Sequence, residues 1–572
     1  MAVDINIMVG GEAGQGVQAA GFIMAKALAR CGLSVFADQD YESRVRGGHN
    51  FFRIRASDGE VGAISEEVDV LLALDRESVD LHQREVSSNG VIIFDSDKTK
   101  NVGADERVLG LPLERMALET AKNKQAANVV VVGAAMSLLG YDSAALKSVV
   151  LDYFGTLQTG QANAAAATRG YEDAKASSKG GFEKRVGRTN DQKRLLLNGN
   201  EAVALGAMAA GCKFVSAYPM TPSTTIMEYM AGKADELGMV VVQPEDEISA
   251  INMIIGAAYA GVRAMTATSG GGFCLMVEGL GLAGMTETPV VVVDGQRAGP
   301  AIGLPTRTEQ GDLQFALHAA HSDFPRVVMA PANVEDAFWL TVKAFNLAEE
   351  YQIPVIILTD QYLASSYATA ERFDLSKVQI KRGQFVSETD PSKLEHYKRY
   401  EITASGISPR AFPLQSTALV VADSDEHNEE GHLIEDAETR TAMMLKRQRK
   451  LEGLKKEISG PRTYGPPKAE ITLMGWGSTL GALREAVDIA TQDGLSVNLV
   501  HFAEIWPFPT EAASQALRAA KKTFVAENNA TAQFAHLLRA ETGHQVSGSI
   551  LKFDGRPFSP TYILGQLKKE VA

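Results

Sequence analysis

Cysteine is nearly absent: 572 residues contain three, Cys31, Cys212 and Cys274, and none stands in a Cys-x-x-Cys pair. A four-iron cluster usually takes four thiolates, so this chain by itself holds no cysteine-ligated cluster. Scattered thiols also point to a reducing compartment. No apolar run approaches the roughly 20 residues that span a bilayer, and the start runs through Asp4 into a strand without a signal-peptide pattern. A cytoplasmic protein with no membrane partner is expected. Basic excess is missing too, because 56 Lys and Arg against 70 Asp and Glu leave a net charge of −14. That sign argues against nucleic acid. What remains is an ordinary globular composition, long enough for about three or four domains.

Asp4 to Val9 alternates and is β-rich, and Gly10-Gly11-Glu12-Ala13-Gly14-Gln15-Gly16 then opens a helix to about Arg30. Strand, glycine loop and helix is an arrangement in which open N–H groups and the helix dipole meet a phosphate. Read as Gly14-x-Gly16-x-x-Ala19, with Asp38 ending the strand Ser34 to Ala37, the same stretch satisfies a dinucleotide fingerprint. Tyr41-Glu42-Ser43-Arg44-Val45-Arg46-Gly47-Gly48-His49-Asn50 follows, two arginines beside a Gly-Gly turn, which suits an anionic ligand. Strands at Val68 to Leu74, Gly90 to Phe94 and Asn128 to Gly133 are expected to complete a doubly wound sheet near residue 155. From Thr156 to Arg194 the composition turns to Ala, Gly, Ser, Lys and Asn without apolar period, as in a linker carrying at most one surface helix.

A second α/β segment begins with a helix capped by Asn198-Gly199-Asn200 and a strand ending in Tyr218-Pro219-Met220-Thr221-Pro222-Ser223-Thr224. The prolines hold that loop extended. Next comes the stretch around which the chain is organised: strand Met239 to Val242, acidic turn Glu245-Asp246-Glu247, helix Ile248 to Ala260, a strand, and the turn Thr268-Ser269-Gly270-Gly271-Gly272. A carboxylate in a first helical turn is favoured by the macrodipole without further role. The buried strand Pro289 to Asp294 empties into Gly295-Gln296-Arg297 and then Gly303-Leu304-Pro305-Thr306-Arg307-Thr308-Glu309-Gln310-Gly311-Asp312-Leu313. Arg297 and Arg307 each offer the planar fork that a carboxylate asks for. His318, His321 and Asp323 lack zinc-ligand spacing and read as core or capping groups.

Glu247, followed nine positions on by Gly256 in a small-residue helix and then by the Thr-Ser-Gly turn, resembles the pyrimidine-binding domain of thiamine diphosphate enzymes. In that family the glutamate donates a proton to N1′ of the aminopyrimidine, and the position match carries this to Glu247. Glu245 and Asp246 compete, and only the spacing to Gly256 prefers Glu247. Gly-Gly-x-x-Gly-Gln-Gly-Val with Arg-Gly-Gly-His-Asn resembles the gamma domain of 2-oxoacid:acceptor oxidoreductases. Tyr-Pro-x-Thr-Pro-Ser-Thr and the Gly303 to Leu313 string resemble their alpha domain. The resemblance implies cofactor contacts from Tyr218, Pro219, Thr268, Ser269 and Gly270. It also implies substrate contacts from Thr221 and from Arg297 or Arg307, and coenzyme A contacts from Gly14, Gly16, Arg44 and Arg46. The family has Thr-Ser-Gly-Pro-Gly where this chain has Gly271, which loosens the turn.

The expected fold is α/β with three doubly wound or open-sheet domains. These are a gamma domain 1–155, a linker 156–194, a pyrimidine-binding domain 195–374, a wrapping segment 375–465, and a transketolase C-terminal-like domain 466–572. The implied function is CoA-dependent oxidative decarboxylation of a 2-oxoacid by a fused gamma-alpha subunit, with the 2-oxoglutarate type nearest and pyruvate or another 2-oxoacid open. No Gly-Asp-Gly with a downstream Asn is present to hold Mg2+ and diphosphate. The resemblance therefore places Mg2+ and a [4Fe-4S] cluster on a beta subunit, with ferredoxin as acceptor and a dimer of heterodimers as the assembly. Two other classes stay open on the residues: an NAD-linked dehydrogenase built on the glycine loop, and a non-catalytic assembly subunit.

Overall fold

The computed structural model describes residues 3–42, 47–100, 102, 107–177, 182–187, 194–386, 397–414 and 419–571. They divide into two compact units, Met1–Leu197 with Ser365–Arg372 and Ser559–Tyr562, and the remainder.

The first unit is built on an eight-stranded mixed sheet. Its order is Val108–Leu111, Val86–Asp95, Val68–Ala73, Asp4–Glu12, His49–Ser57, Ser34–Asp40, Tyr367–Ala370 and Leu195–Asn198. Asp4–Glu12 runs parallel to Val68–Ala73 but antiparallel to His49–Ser57, which in turn pairs antiparallel with Ser34–Asp40. Gly47 and Gly48, at φ of 76° and 84°, turn the chain into the strand that begins at His49. Asn128 to Gly133, expected as a strand, lies instead in the helix Ala127–Leu138. A short apolar run reads the same for a buried strand and a helix that is apolar all round, and here the second solution holds. Its partner is the helix Gln158–Ser177, placed in the expected linker. This helix buries Gly160, Ala164, Ala166, Ala167, Gly170 and Ala174. Alanine and glycine give weak apolar contrast, so the buried face carries little periodic signal.

In the second unit a seven-stranded sheet runs Glu504–Trp506, Val327–Met329, Pro354–Asp360, Val290–Gln296, Ala264–Thr268, Phe214–Ser216 and Val240–Val242. It is parallel except at its Glu504–Trp506 edge. A five-stranded sheet runs Arg462–Tyr464, Val497–Phe502, Ile471–Trp476, Lys522–Glu527 and Gly548–Leu551. One apolar core serves both: Ile251, Ile254 and Met276 belong to the same buried cluster as Trp476, Phe502 and Phe534. Burying side chains of this size contributes about 1.5–3 kcal/mol each.

The described part of the wrapping segment is fastened by buried charge. Glu287 receives Lys446 at 2.6 Å and Lys450 at 2.5 Å, with all three side chains at most 1% exposed. Burial alone would raise the Glu287 carboxyl, but Lys446, Lys450 and Arg399 outweigh it and hold it far below the carboxylate range. Burial pulls Lys450 down to about 7 against the opposing pull of Glu287. Arg399 donates to the carbonyl oxygen of Glu287 at 2.7 Å and to Gln352 Oε1 at 2.8 Å.

Candidate active site

Glu247 opens the helix Glu247–Tyr259, whose N-cap is Asp246, the side chain of which accepts from the Ser249 amide at 2.8 Å. The cap explains Asp246, and Glu245 is exposed. Glu247 is the buried member of the acidic turn at 3% exposure, and its Oε1 has no hydrogen-bond partner among the described residues. Gly272 walls it in: a β-carbon there would stand 2.6 Å from Glu247 Oε1 and 2.1 Å from Thr268 Oγ1. Thr268 ends the strand Ala264–Thr268, and Ser269 caps the helix Gly270–Met285. Ser269 Oγ, which follows this strand, and Thr266 Oγ1 within it are also buried without partners among the described residues. The turn lies at the carboxyl end of a parallel sheet, where open α/β sheets bind ligands.

The Tyr218 to Thr224 loop reaches the same place. Thr268 Oγ1 lies 4.0 Å from Met220 Sδ, and a β-carbon on Gly295 would meet Pro222 Cγ at 3.0 Å. Arg297 Nη1 donates to the Thr221 carbonyl oxygen at 2.8 Å, which orients the guanidinium. Burial lowers the Arg297 pKa, opposed by Asp312. Tyr218 is 37% exposed and Pro219 half-buried.

Arg307 sits in the turn Gly303 to Thr308, where its carbonyl oxygen accepts from the Ala298 amide at 3.2 Å. Its side chain packs beside Gly555, at which a β-carbon would lie 2.9 Å from Arg307 Cβ. Gln310 of that long string is structural. Gln310 donates to the Trp476 carbonyl oxygen at 3.0 Å and accepts from the Asn528 amide at 3.1 Å, stitching the string to the five-stranded sheet. A separate cleft of about 680 Å³ around Trp506, His318, Arg326 and Glu541 contains none of the expected site residues.

Three family models match the chain. "Pyruvate flavodoxin/ferredoxin oxidoreductase, thiamine diP-bdg" covers residues 205–446, "Pyruvate ferredoxin/flavodoxin oxidoreductase" covers 6–173, and "Pyruvate:ferredoxin oxidoreductase core domain II" covers 469–563. The alpha subunit of a 2-oxoacid:ferredoxin oxidoreductase from Sulfolobus sp is 35% identical over 97% of this chain and 95% of its own. The chain belongs to the 2-oxoacid:ferredoxin oxidoreductase alpha subunits. The 2-oxoglutarate synthase subunit KorA of Methanothermobacter marburgensis is 34% identical over 65% of this chain and 97% of its own. A solved 2-oxoglutarate:ferredoxin oxidoreductase from Magnetococcus marinus, with 2-oxoglutarate, coenzyme A and succinyl-CoA bound, matches with a TM-score of 0.91. It is 34% identical and covers 100% of both chains.

In this oxidoreductase subunit the structure brings Glu247, Thr268, Ser269, Gly270, Thr221 and Arg297 together. Gly256 of the small-residue helix is exposed, with nothing within 4 Å of a β-carbon. Ile248 and Met253 on the same helix and Leu275 on Gly270–Met285 are 49%, 42% and 48% exposed. Asp294 and Asp312 are the acidic neighbours that the sequence reading passed over. The only signal for Asp294 was a carboxylate closing an apolar strand.

In the first unit Gly14 and Gly16 adopt φ of 96° and 80°, the left-handed region that glycine enters readily. The helix Val17–Arg30 starts without a side-chain cap. Arg44 and Arg46 lie outside the described residues. Asp38, the acidic residue of the dinucleotide alternative, is buried and paired with Arg53 at 3.0 and 2.6 Å. His49–Ser57 separates its strand from Asp4–Glu12. In a dinucleotide fold those two strands are neighbours and the acid faces a ribose, so that alternative loses both supports.

Proposed function

We propose that this alpha subunit carries the pyrimidine-binding and substrate-carboxylate half of a CoA-dependent 2-oxoglutarate:ferredoxin oxidoreductase. The observation that carries the reading is the buried Oε1 of Glu247, without a partner among the described residues and facing the Thr268 to Gly272 turn. Polar groups buried without partners cost about 1–3 kcal/mol each, and a ring bearing both donors and acceptors satisfies them. Thiamine diphosphate fits that description and, when bound, supplies the electron sink for loss of CO2. Glu247 holds a proton toward N1′ of the aminopyrimidine. Glycine at 272 keeps the space that the carboxyl needs. Arg297, already oriented by Thr221, presents its fork to the substrate carboxylate, while Arg307 lies farther along the same loop toward Gly555. Tyr218, Pro219, Thr268, Ser269 and Gly270 form the surround.

Exposed apolar side chains on the two helices that begin at the site, Ile248 and Met253 on Glu247–Tyr259 and Leu275 on Gly270–Met285, support a partner that closes it. That partner is a beta subunit bearing Mg2+, the diphosphate contacts and a [4Fe-4S] cluster, assembled as a dimer of heterodimers in the cytoplasm and passing electrons to ferredoxin. Coenzyme A is assigned to the first unit at Gly14 and Gly16, with Arg44 and Arg46.

The test is anaerobic co-purification with native neighbours, then viologen reduction with CoA and a panel of 2-oxoacids. Fastest CoA-dependent reduction with 2-oxoglutarate is expected, together with a cysteine-bearing second chain. Glu247→Gln should cost about 10²–10⁴ in turnover, the usual contribution of a positioned proton donor, and leave assembly intact. An unchanged rate reduces the chain to a scaffold.

A further inference from the structure

A second acid-base element stands beside Glu247. Asp294 is fully buried on the strand Val290–Gln296, and neither carboxyl oxygen has a partner among the described residues. It is in register with Thr268 on the neighbouring parallel strand and shares a face with Gln296 two residues on. Gln296 Oε1 accepts from the Asp312 amide at 3.0 Å, which sets Asp312 over that same face. The Asp312 carboxyl reaches the turn: a β-carbon on Gly270 would stand 2.5 Å from its Oδ2. The two carboxyl groups are therefore neighbours on one face, with Arg297 directly after Gln296, and like charges near each other in a low-dielectric place cannot both ionise at ordinary cost.

We propose that Asp294 and Asp312 hold one proton between them, and that the remaining charge of the pair balances Arg297 until a substrate carboxylate takes its place. Asp294 keeps the proton, since burial raises its pKa well above the usual value and Asp312 adds to the rise. Burial brings Asp312 up to about 6, against the pull of Arg297. When an anion binds Arg297 the balance is broken and Asp312 takes up a proton. The pair is a positioning element that couples substrate binding to proton uptake.

Besides Glu247, which adjoins the Thr268 end of the neighbouring strand, four titratable groups among the described residues surround the pair. Cys274 on the helix Gly270–Met285 is raised by burial and by both aspartates, and so stays neutral. Glu309, in the loop before Asp312, is raised by burial. Asp360, closing the next strand, is raised by burial and held by Ser478 Oγ at 2.5 Å. His318 ends the short helix that Asp312 begins.

This inference rests on Arg297 receiving the substrate carboxylate, and two readouts separate the parts. Infrared difference spectra of the purified complex near neutral pH should show a protonated-carboxyl C=O band that Asp294→Asn abolishes. Its absence from the native protein overturns the shared proton, whatever the substrate. Calorimetric titration with 2-oxoglutarate, in buffers of different ionisation enthalpy, should show uptake of most of one proton per molecule bound. Asp312→Asn and Asp312→Ser should bring uptake close to zero and flatten the rise of KM with pH above about 6. Melting curves matching the native protein establish that the variants fold. Equal uptake in native and variant proteins overturns the coupling. A persistent C=O band with no 2-oxoacid binding overturns the coupling through Arg297 and leaves the shared proton standing.

Discussion

A carboxyl group buried without a partner is a standing cost, and Glu247 bears it in the subunit by itself. Glu247→Gln is expected to raise the melting temperature of the cofactor-stripped chain while removing turnover, the usual opposition between stability and a strained site. Equal melting temperatures would show that the cost is relieved within the chain. Gly272→Ala works in the other direction. Its added methyl meets Thr268 Oγ1 and Glu247 Oε1, and overpacking of this kind costs about 1–3 kcal/mol. Both melting temperature and activity should fall. Glu247, Thr221 and Arg297 can be picked out of the sequence as candidates because each stands in a string with a fixed local pattern. Asp294 and Asp312 were not, because what makes them a pair is strand register and one Gln296 side chain, neither of which leaves a mark in linear spacing.

Among the elements, the helix pair Ala127–Leu138 and Gln158–Ser177 depends on two glycines. A β-carbon on Gly133 would stand 2.0 Å from the Ala167 carbonyl oxygen, and one on Gly170 would stand 2.0 Å from that of Val130. The backbones touch, so Gly133→Val or Gly170→Val should force the helices apart and expose the first unit to protease, while Gly256→Ala, facing open space, should change nothing in that assay. The same closeness explains why this region resisted sequence reading: helices that pack through glycine and alanine carry no apolar stripe. The parallel strands of the second unit were easy by comparison, since continuous Val and Ile runs are what strands buried on both faces look like. The helix Ala437–Glu457 makes a pH prediction. Glu287 has a folded-state pKa below its ordinary 4.5, so its stabilising contribution is present above that value and is lost as pH falls through the folded one. Amide protection in Ala437–Glu457, taken relative to the intrinsic exchange rate at each pH, should therefore fall in acid below about 4.5. Lys446→Met, which removes one partner of Glu287, should bring the loss of protection on at higher pH; protection that matches the native protein at every pH would contradict the sign.

At the scale of the whole molecule, the proposed function makes the site in this subunit one wall of a cavity. The chain purified by itself is expected to be inactive in viologen reduction and to recover activity when a cluster-bearing partner is added. The three-sheet α/β architecture was readable in the sequence; the way the chain is threaded was not. Tyr367–Ala370 pairs with Ser34–Asp40, and Leu195–Asn198 joins the sheet only through Tyr367–Ala370. A strand made late in synthesis therefore completes a layer begun at the first residues. A ribosome-bound chain ending at residue 360 presents the Ser34–Asp40 backbone as a raw margin that other nascent chains can zip onto; one long enough for Tyr367–Ala370 to have left the exit tunnel has sealed it. Protease resistance of the first unit should appear between those two lengths, so that the earliest-translated part of the protein waits for about half of its neighbour to be made before this layer is closed.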